Sequence, residues 1–391
     1  MQRVKTFNSI ASIKEQLPPE SFQVGPDVEA PEAYILRSYN LVGSVLPEGL
    51  LAIARAGAGV NNIPVVECSK RGIVVFNTPG ANANAVKELT IMALIMTARN
   101  ALASIEWTSK LEGRDIANQA EKGKGQFVGH ELAGKTLGII GLGAVGALVA
   151  QAALALGMNV LGHDPHLSIN AAWKLNNKVK PVDEDELVKR SDFISIHAPL
   201  TAETEGKYDE AFIAKAKKGV SLFNFSRAAI ADPDAVKKAL DSKQVKAYVT
   251  DFATPELLNY PGVISFPHLA SGTYEAEDNC ATMAAEQLRE YLENGNIKNS
   301  VNFPTVDFGI PEKPRVAVLH SNVPKILNSI TTLVSLSGQI NIEKMANASK
   351  GDQAYTIFDL DSELDAKSIA NISANPNVFL VRAINYTPNG K

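Results

Sequence analysis

Residues 136–146 read TLGIIGLGAVG, and this stretch decides the fold of the central part of the chain. Its first five residues are typical of an apolar strand, and the alanine-rich stretch Ala144–Gly157 is typical of a helix. Between them, Gly141 permits a tight turn, Gly143 allows close approach of a ligand to the backbone, and Gly146 allows the helix to pack closely on the strand. A strand, a glycine-rich turn and a helix in this order predict a dinucleotide-binding unit.

An acidic residue after the next strand supports this prediction. Ala144 and Val145 would begin the helix and offer free N–H groups to a pyrophosphate. About 18 residues beyond Gly146, the predicted strand Asn159–Gly162 leads to Asp164. A carboxylate there would accept hydrogen bonds from the ribose hydroxyls and repel a 2′-phosphate, which favours NAD over NADP. The alternative is that the glycines only form a tight turn in an α/β domain without a cofactor.

Strands and helices alternate through the rest of the central region, which predicts a doubly wound parallel sheet of the Rossmann type within residues 91–274. The further predicted strands are Phe193–Ile196, Val220–Phe225, Val245–Thr250 and Val263–Phe266, and the predicted crossover helices are Asp183–Arg190 and Asp232–Lys243.

The flanking regions predict two more units. Residues 1–90 contain short buried strands at Ala33–Arg37 and Ile73–Asn77, followed by a helical stretch without Pro or Gly, Ala83–Lys110, suited to a rigid connector. After the amphipathic helix Thr273–Asn294, a Gly/Asn/Pro-rich stretch ends in a linker at 306–314.

Residues 315–391 predict a small C-terminal domain in the order βαββαβ. Its predicted elements are Arg315–His320, Pro324–Leu336, Ile340–Ala346, Ala354–Leu360, Asp365–Ser373 and Val378–Ile384.

Composition narrows the class of protein. The chain has 391 residues, 45% of them hydrophobic, and a formal net charge of −4, which predicts several globular domains and argues against a nucleic-acid binder. The two cysteines, Cys68 and Cys280, are far apart, so we expect neither a disulfide framework nor a metal site. The most apolar run, Leu89–Ala98, is too short to span a bilayer, and no signal peptide is visible, so we expect a cytoplasmic protein that does not enter membranes.

Three ionisable residues follow predicted strand ends, where ligands bind in open α/β sheets: Arg227, Glu256 and His268. Taken one at a time, each has an ordinary explanation as a surface charge or a loop histidine. Their combination with the glycine-rich turn favours a catalytic site.

Several motifs in this order make the chain resemble the D-2-hydroxyacid dehydrogenase family, and within it the phosphoglycerate dehydrogenases. They are LRS (36–38), RAGAGVNN (55–62), FNTPGAN (76–82), ELAGKTLGIIGLGAVG (131–146), HDP (163–165), ISIHAPLTAET (194–204), KKGVSLFNFSRAAI (217–230), TDFATPE (250–256) and FPHLASGT (266–273). The resemblance implies a flavodoxin-like substrate lobe at 1–90, completed by a return helix within 275–305, with the active site between this lobe and the NAD domain. It also implies that the C-terminal unit is an ACT-like regulatory domain.

The resemblance also implies the roles of the residues. His268 would take the proton of the C2 hydroxyl, Glu256 would orient the His268 ring and favour its protonated form, and Arg227 would bind the substrate carboxylate. The cofactor would contact the glycine-rich turn and a further set: Ala58, Asp164, Ala198, Phe225, Ser226, Arg227, Asp251, His268 and Ala270. The chain departs from the family pattern at Ala228 and Ala229, where the family has Gly-Gly, and at Leu257, where it has Pro. We expect the alanines to crowd the nicotinamide pocket and the leucine to loosen the loop of Glu256.

For the substrate, Arg37 and Ser38 match the family's phosphate-binding position, which favours a 3-phosphoglycerate-like acid over a neutral one. The alternative is that Arg37 is an ordinary charge at a strand end. The backbone of Ala58, Gly59 and Val60 would hold the carboxylate, with support from Asn82. Lys122 and Lys124 either add positive charge at a subunit interface or are solvated.

In the C-terminal unit, His320, Asn322 and Asn341 match the positions at which ACT domains bind an amino-acid effector, often serine. Lys325 replaces a family glycine, which puts effector binding in doubt, and the alternative is a structural dimerisation domain. We expect a homodimer through the NAD domain or a homotetramer.

Two other functions stay open at this point. The chain could be another member of the family, such as a glycerate or hydroxypyruvate reductase, or a non-catalytic NAD-sensing scaffold.

Overall fold

The computed structural model describes residues 1–173, 175–336 and 340–384. The chain forms two compact units: the first combines Met1–Ala81 with the chain from Glu277 onward, and the second is Asn82–Ala276. The boundary at 81–82 lies nine residues before the expected 90–91, and the boundary at 276–277 lies two residues after the expected 274–275. The expected C-terminal domain continues through 385–391, which lie outside the described residues.

The first unit opens with a parallel sheet of five strands in the order β2-β1-β3-β4-β5. This is the flavodoxin-like strand order, as predicted. Strands β3, β4 and β5 are almost wholly buried because apolar residues cover both faces of the sheet. The elements are β1 (Gln2–Thr6), β2 (Phe22–Gly25), β3 (Ala33–Leu36), β4 (Ala52–Arg55), α1 (Val65–Lys70) and β5 (Val74–Phe76).

The second unit is built on a parallel sheet of seven strands in the order β12-β11-β10-β9-β6-β7-β8. This order confirms the predicted Rossmann-type sheet. The strand β6 lies at the point where the order reverses, so the loops after β6 and β9 border the crevice where such sheets bind ligands. The elements are α2 (Ala83–Ala98), α3 (Ala101–Thr108), α4 (Ile116–Gly123), β6 (Thr136–Ile140), α5 (Ala144–Ala155), β7 (Asn159–His163), α6 (Ile169–Ala172), β8 (Lys180–Pro181), α7 (Glu184–Arg190), β9 (Phe193–Ile196), α8 (Glu210–Ala214), β10 (Val220–Asn224), α9 (Pro233–Asp241), β11 (Val245–Thr250) and β12 (Val263–Ser265).

The prediction of one continuous helix over Ala83–Lys110 is wrong. Asn100 adopts a left-handed backbone with φ 51°, and α2 and α3 diverge by 68° on either side of it. Asn tolerates this conformation better than other residues with a side chain. The Asn100 amide also donates to the carbonyl of Val128 at 3.2 Å, which ties the break to the chain returning toward β6. Among the described helices, none is by itself both long and apolar enough to cross a bilayer, although α2 and α3 taken together would be.

The C-terminal part of the first unit is a four-stranded antiparallel sheet in the order β14-β15-β13-β16. Its βαββαβ sequence of elements is as predicted and is compatible with an ACT-like domain. The elements are α10 (Tyr274–Arg289), β13 (Arg315–Ser321), α11 (Ile326–Leu336), β14 (Ile342–Lys350), β15 (Gln353–Leu360), α12 (Ala366–Ser373) and β16 (Val378–Ile384).

Both faces of the two central strands, β13 and β15, are buried. One face packs on α11 and α12, while side chains on the other face, such as Leu319 and Tyr355, share a core with the five-stranded sheet and α10. The expected linker 306–314 belongs to this core, since Val306 and Phe308 are each 6% exposed. The Gly/Asn/Pro composition indicated a free linker, but the start of the segment is packed because Val306 and Phe308 point into a shared core, whereas Ile310 is exposed.

A buried arginine holds this junction together. The guanidinium of Arg315 is paired with Asp359 at 2.7 Å and also donates to the carbonyls of Asn294 (2.8 Å) and Gly309 (2.7 Å). It also lies 4.9 Å from the ring centre of Phe308. A buried charge with this many partners is compensated, and removing it would leave an unpaired carboxylate.

Candidate functional site

The turn after β6 has the geometry of a pyrophosphate cradle. Gly141 has φ 89°, and a Cβ there would lie 2.8 Å from the backbone N of Ala198. A Cβ on Gly146 would lie 2.0 Å from the carbonyl oxygen of Gly141. Both positions therefore require glycine, one for the turn and one for the contact between α5 and β6.

Gly143 differs from these two because open space lies in front of it. No atom comes within 4 Å of a Cβ built there, and its φ of −66° is available to any residue. Gly143 is the N-cap of α5, so Ala144 and Val145 begin the helix and present N–H groups to this space. The open cradle and the helix start fit the two phosphates of NAD.

Asp164 ties this turn to the end of β7. Its Oδ2 accepts the backbone N–H of Leu142 at 2.8 Å, and its Oδ1 accepts that of His166 at 2.9 Å. Each carboxylate oxygen has a second lone pair. The side chain can therefore brace the turn and still accept hydrogen bonds from a ribose.

The buried side-chain amide of Asn224 holds the loop that follows β10. The Nδ2 of Asn224 donates to the carbonyl of Arg227 at 2.9 Å and to the hydroxyl of Tyr248 at 3.0 Å. Phe225 is buried, and the Ser226 hydroxyl donates to the carbonyl of Ala198. These contacts leave the side chain of Arg227 exposed at the carboxyl edge of the sheet.

The two alanines after Arg227 do not strain the loop. Ala228–Ile230 form one 3₁₀ turn, and the carbonyl of Ala229 accepts the N–H of Gly206 at 2.8 Å. Neither alanine has a positive φ. The backbone here does not require the glycines of the family pattern.

His268 lies in a loop built on the buried carboxylate of Asp251, which is 1% exposed. Its two oxygens accept the N–H groups of Leu269 (2.7 Å) and Ala270 (2.9 Å), while its carbonyl accepts that of His268 (3.0 Å). His268 has φ 57°, and its exposed ring meets Phe252 edge-on at 5.1 Å. Asp251 thus sets the backbone that presents the imidazole.

Glu256 is not hydrogen-bonded to His268 in the described part of the chain. Hydrogen bonds from its own N–H and from the Thr254 side chain hold the pKa of the Glu256 carboxyl below its usual range. The next residue, Leu257, is 5% exposed and packs in the core of the second unit. The leucine therefore anchors the loop that we expected it to loosen.

In the first unit, Arg37 and Ser38 follow β3 directly. The guanidinium of Arg37 pairs with the carboxylate of Glu277 at 2.6 Å, and both side chains are about two-fifths exposed, at 41% and 40%. The N–H of Ser38 donates to Asn8 Oδ1 at 3.2 Å. Sequence reasoning missed Glu277 because it lies 240 residues from Arg37 along the chain.

Arg55, at the end of β4, was also missed. Its guanidinium donates to the carbonyl of Gly59, and its Nε donates to the carbonyl of Arg37 at 3.0 Å. The amide of Asn77 donates to the carbonyl of Ala58 at 2.6 Å. The loop through Ala58, Gly59 and Val60 is thus held from two strands. The signal was available, since Arg55 opens the RAGAGVNN motif.

Three remaining candidate residues have only local roles in the structure. Asn82 caps the start of α2 through its backbone carbonyl. Lys122 is exposed in α4, and Lys124 pairs with Glu121.

In the C-terminal sheet, His320 is 1% exposed, with its Nε2 2.8 Å from the Thr356 hydroxyl. Burial lowers the pKa of His320. The Asn322 amide donates to the carbonyl of Gly351 at 3.0 Å, and the Asn341 N–H donates to Asp361 at 3.1 Å. Lys325 has φ 68°, so the backbone keeps the conformation of a glycine although a lysine occupies it.

Comparisons with known proteins agree with this geometry. Residues 91–270 match the NAD-binding domain of the D-isomer specific 2-hydroxyacid dehydrogenases. The D-3-phosphoglycerate dehydrogenase of Dictyostelium discoideum is 30% identical over 348 residues, covering 86% of this chain and 81% of that protein. The D-3-phosphoglycerate dehydrogenase of Methanocaldococcus jannaschii is 37% identical over 272 residues, covering 66% of this chain and 49% of that protein.

A solved structure shows the same fold. The NAD⁺-bound 3-phosphoglycerate dehydrogenase of Entamoeba histolytica superposes with a TM-score of 0.61 and 27% identity, over 77% of this chain and 98% of that one. The chain belongs to the D-2-hydroxyacid dehydrogenase family, and its second unit is the NAD-binding domain of that family. The first curated relatives are longer proteins, of which the match covers about half to three-fifths, 49% and 60%.

Proposed function

We propose that this protein is an NAD-dependent D-3-phosphoglycerate dehydrogenase, which oxidises its substrate to 3-phosphohydroxypyruvate at the first step of serine biosynthesis. The observation that carries the proposal is the position of Arg37 and Ser38 at the carboxyl end of β3 in a member of this family. A guanidinium fork and a hydroxyl are suited to a phosphate dianion. The names of the relatives support the same substrate.

The chemistry divides between the cofactor and the side chains. When bound, NAD accepts the hydride that leaves C2 of the substrate. Arg227 binds the substrate carboxylate through two parallel N–H donors and polarises the C2 oxygen. The imidazole of His268 takes the hydroxyl proton as the C2–O bond becomes a carbonyl, and later releases this proton to water.

The loops supply positioning. Asp251 fixes the backbone on which His268 sits, and Asn224 fixes that of Arg227. Neither side chain has to touch the substrate to matter, because a shift of about 1 Å in a catalytic group costs on the order of 10²-fold in rate. Glu256 would act by turning from its Thr254 contact toward His268, where a carboxylate favours the protonated imidazole.

A second candidate substrate is an unphosphorylated D-2-hydroxy acid such as D-glycerate. The observation in its favour is the ion pair between Arg37 and Glu277, which already satisfies the guanidinium. A phosphate has to displace this carboxylate, whereas a neutral end group does not.

The test is NADH formation by purified protein with NAD and either D-3-phosphoglycerate or D-glycerate. We expect turnover of the phosphorylated acid. The Arg37→Ala variant should raise KM for it by about 10- to 100-fold, with little change in kcat, because Arg37 binds but does not react. Glu277→Gln should lower that KM because it frees Arg37 from its partner.

Turnover of D-glycerate alone, with unchanged kinetics in Arg37→Ala, would reject the phosphate role and keep the family chemistry. No turnover of either acid in both directions, with NAD still bound, would favour a non-catalytic NAD-sensing role.

We further propose that the protein forms a homodimer or homotetramer, that it acts in the cytoplasm, and that its C-terminal domain binds an amino acid such as serine. Exposed apolar side chains on α2 and α3, including Leu102 and Ile105, support subunit contacts. The two buried free cysteines, Cys68 and Cys280, fit a reducing compartment. Sedimentation analysis and the assay with and without serine test the assembly and the effector.

A further inference from the structure

A cavity of about 670 Å³ opens at the amino ends of the strands in the second unit. The Gly141 turn follows β6, whereas Lys135 precedes it, so the cavity lies at the opposite edge of the sheet from the cofactor cradle. Parallel strands all begin at the same edge, and lysines stand at or near the start of β6, β10 and β11. Five of them line the cavity: Lys135, Lys217, Lys218, Lys243 and Lys246.

Five ammonium groups and one carboxylate line this lysine pocket. Its one lining carboxylate, Asp192, accepts the N–H of Thr136 at 2.8 Å and the ammonium of Lys217 at 2.9 Å. Although burial opposes ionisation, these two donors hold the pKa of Asp192 below its usual range. Asp192 is therefore ionised and already paired.

The other four lysines have no carboxylate within salt-bridge distance in residues 1–173, 175–336 and 340–384. The whole chain has a net charge of −4, so general composition does not explain this concentration of positive charge. Like charges that gather in one concave site raise the local potential and attract anions.

Lys246 is partly removed from water without a compensating charge. Burial lowers the pKa of its ammonium group, which donates to the carbonyl of Thr97 at 3.4 Å. A partly desolvated ammonium that meets only a distant carbonyl is unfavourable by itself. An anion in the cavity would compensate it.

Lys243 supplies a second, independent observation. It follows α9 with φ 58°, a left-handed conformation that Gly or Asn adopts more easily. A charged side chain is thus held at this position against the local backbone preference. Residues in such conformations concentrate at binding sites, where the surrounding structure maintains them.

We propose that the lysine pocket binds a small anion with two or more linked phosphates, at a site separate from the NAD cradle and from Arg37. Four ammonium groups that form no salt bridge within the described residues match the charge of a diphosphate better than that of a monophosphate. Leu240, Val245 and Pro261 give the cavity an apolar wall beside the charges, and its volume leaves room for a group attached to the phosphates.

The test is calorimetric titration of the full-length protein with inorganic pyrophosphate, at physiological ionic strength and with saturating NAD. NAD keeps pyrophosphate out of the cofactor cradle. We expect one site per chain. Lys246→Gln should raise the Kd by about tenfold, because it removes one charge-assisted contact. Two control variants should leave the Kd unchanged: Lys180→Gln, which changes an exposed lysine on β8 outside the cavity, and Arg37→Ala.

Lys243→Asn separates binding from folding. Asn accepts the left-handed backbone, so this variant should unfold at the same or a higher temperature than the wild type while binding pyrophosphate about tenfold more weakly. A parallel titration with ADP distinguishes the source of the phosphates. Tighter binding of ADP with the same lysine dependence indicates a nucleotide, and equal binding indicates an inorganic ligand.

Three results would overturn the proposal. They are no binding at physiological ionic strength, a Kd that is unchanged in both Lys246→Gln and Lys243→Asn, and a Kd that weakens only in Arg37→Ala.

Discussion

Two loops at the same edge of the seven-stranded sheet are built in different ways. The turn from Gly141 to Gly146 requires glycine at both ends, because a Cβ at either position would collide with neighbouring backbone atoms. The loop that carries His268 depends on a side chain that is present, the buried carboxylate of Asp251, which lies 18 residues before Leu269. The conformation of the turn is therefore set by the glycines within it, whereas that of the loop is set by a tertiary contact.

This difference predicts how each loop fails. A local turn fails when a side chain is added, and the damage spreads to the packing of α5 on β6. A loop held by one carboxylate fails when that carboxylate is changed, and the damage stays with the residues that it holds. Four substitutions test this, in order of decreasing effect.

The largest effect is expected for Gly146→Ala. Its methyl group would lie 2.0 Å from the carbonyl oxygen of Gly141, and a backbone atom cannot move aside without shifting the helix. We expect a loss of about 3 kcal/mol or more in the free energy of unfolding, together with loss of NAD binding. Urea unfolding and NAD titration measure both; unchanged stability would show that the turn is more plastic than its contacts indicate.

Asp251→Asn should affect activity more than folding. The amide can accept one of the two N–H groups of Leu269 and Ala270, but it turns a donor toward the other. We expect kcat to fall by about 10²-fold, with faster amide hydrogen exchange over residues 266–273. Asp241→Asn, which changes an exposed carboxylate bonded to Tyr260, is the matched control and should retain full activity.

Gly143→Ala separates binding from stability within the turn itself. Its φ of −66° suits alanine, and no atom lies within 4 Å of the added carbon. The unfolding temperature should stay the same or rise slightly, while NAD affinity falls by about tenfold because the methyl enters the pyrophosphate space. An equal loss of stability in Gly143→Ala and Gly146→Ala would contradict the distinction between the two glycines.

The smallest effect is expected for Phe252→Leu, which removes the edge-on contact with the His268 ring. Such aromatic contacts contribute about 1 kcal/mol, so kcat should fall about fivefold. Phe252→Tyr keeps the ring and should restore the rate. If both variants are equally slow, the ring contact does not position the imidazole.

The C-terminal sheet shows the same contrast at the scale of a domain. Its βαββαβ order could be predicted because each strand and helix has its own apolar pattern. The packing of this sheet against the five-stranded sheet could not be predicted. Leu319 and Tyr355 lie in strands with the alternating pattern of any half-buried strand, and this pattern does not show which surface covers them. The break in the helix at Asn100 could not be predicted for a related reason. Asparagine within a helical stretch does not by itself indicate a break, and the Asn100 side chain donates a hydrogen bond to the carbonyl of Val128, 28 residues away.

By itself, the sequence determined the elements whose cause lies within a few residues. These are the strand, turn and helix around Gly141, the predicted strands of the two parallel sheets, and the order of elements in the C-terminal unit. Only the tertiary structure decided which charges meet. Glu277 reaches Arg37, Asp251 holds the loop of His268, and five lysines line one cavity. The physical reason is that a local pattern is set by backbone sterics and by the burial of one face, while an ion pair or a hydrogen bond joins groups that only the folded chain brings together.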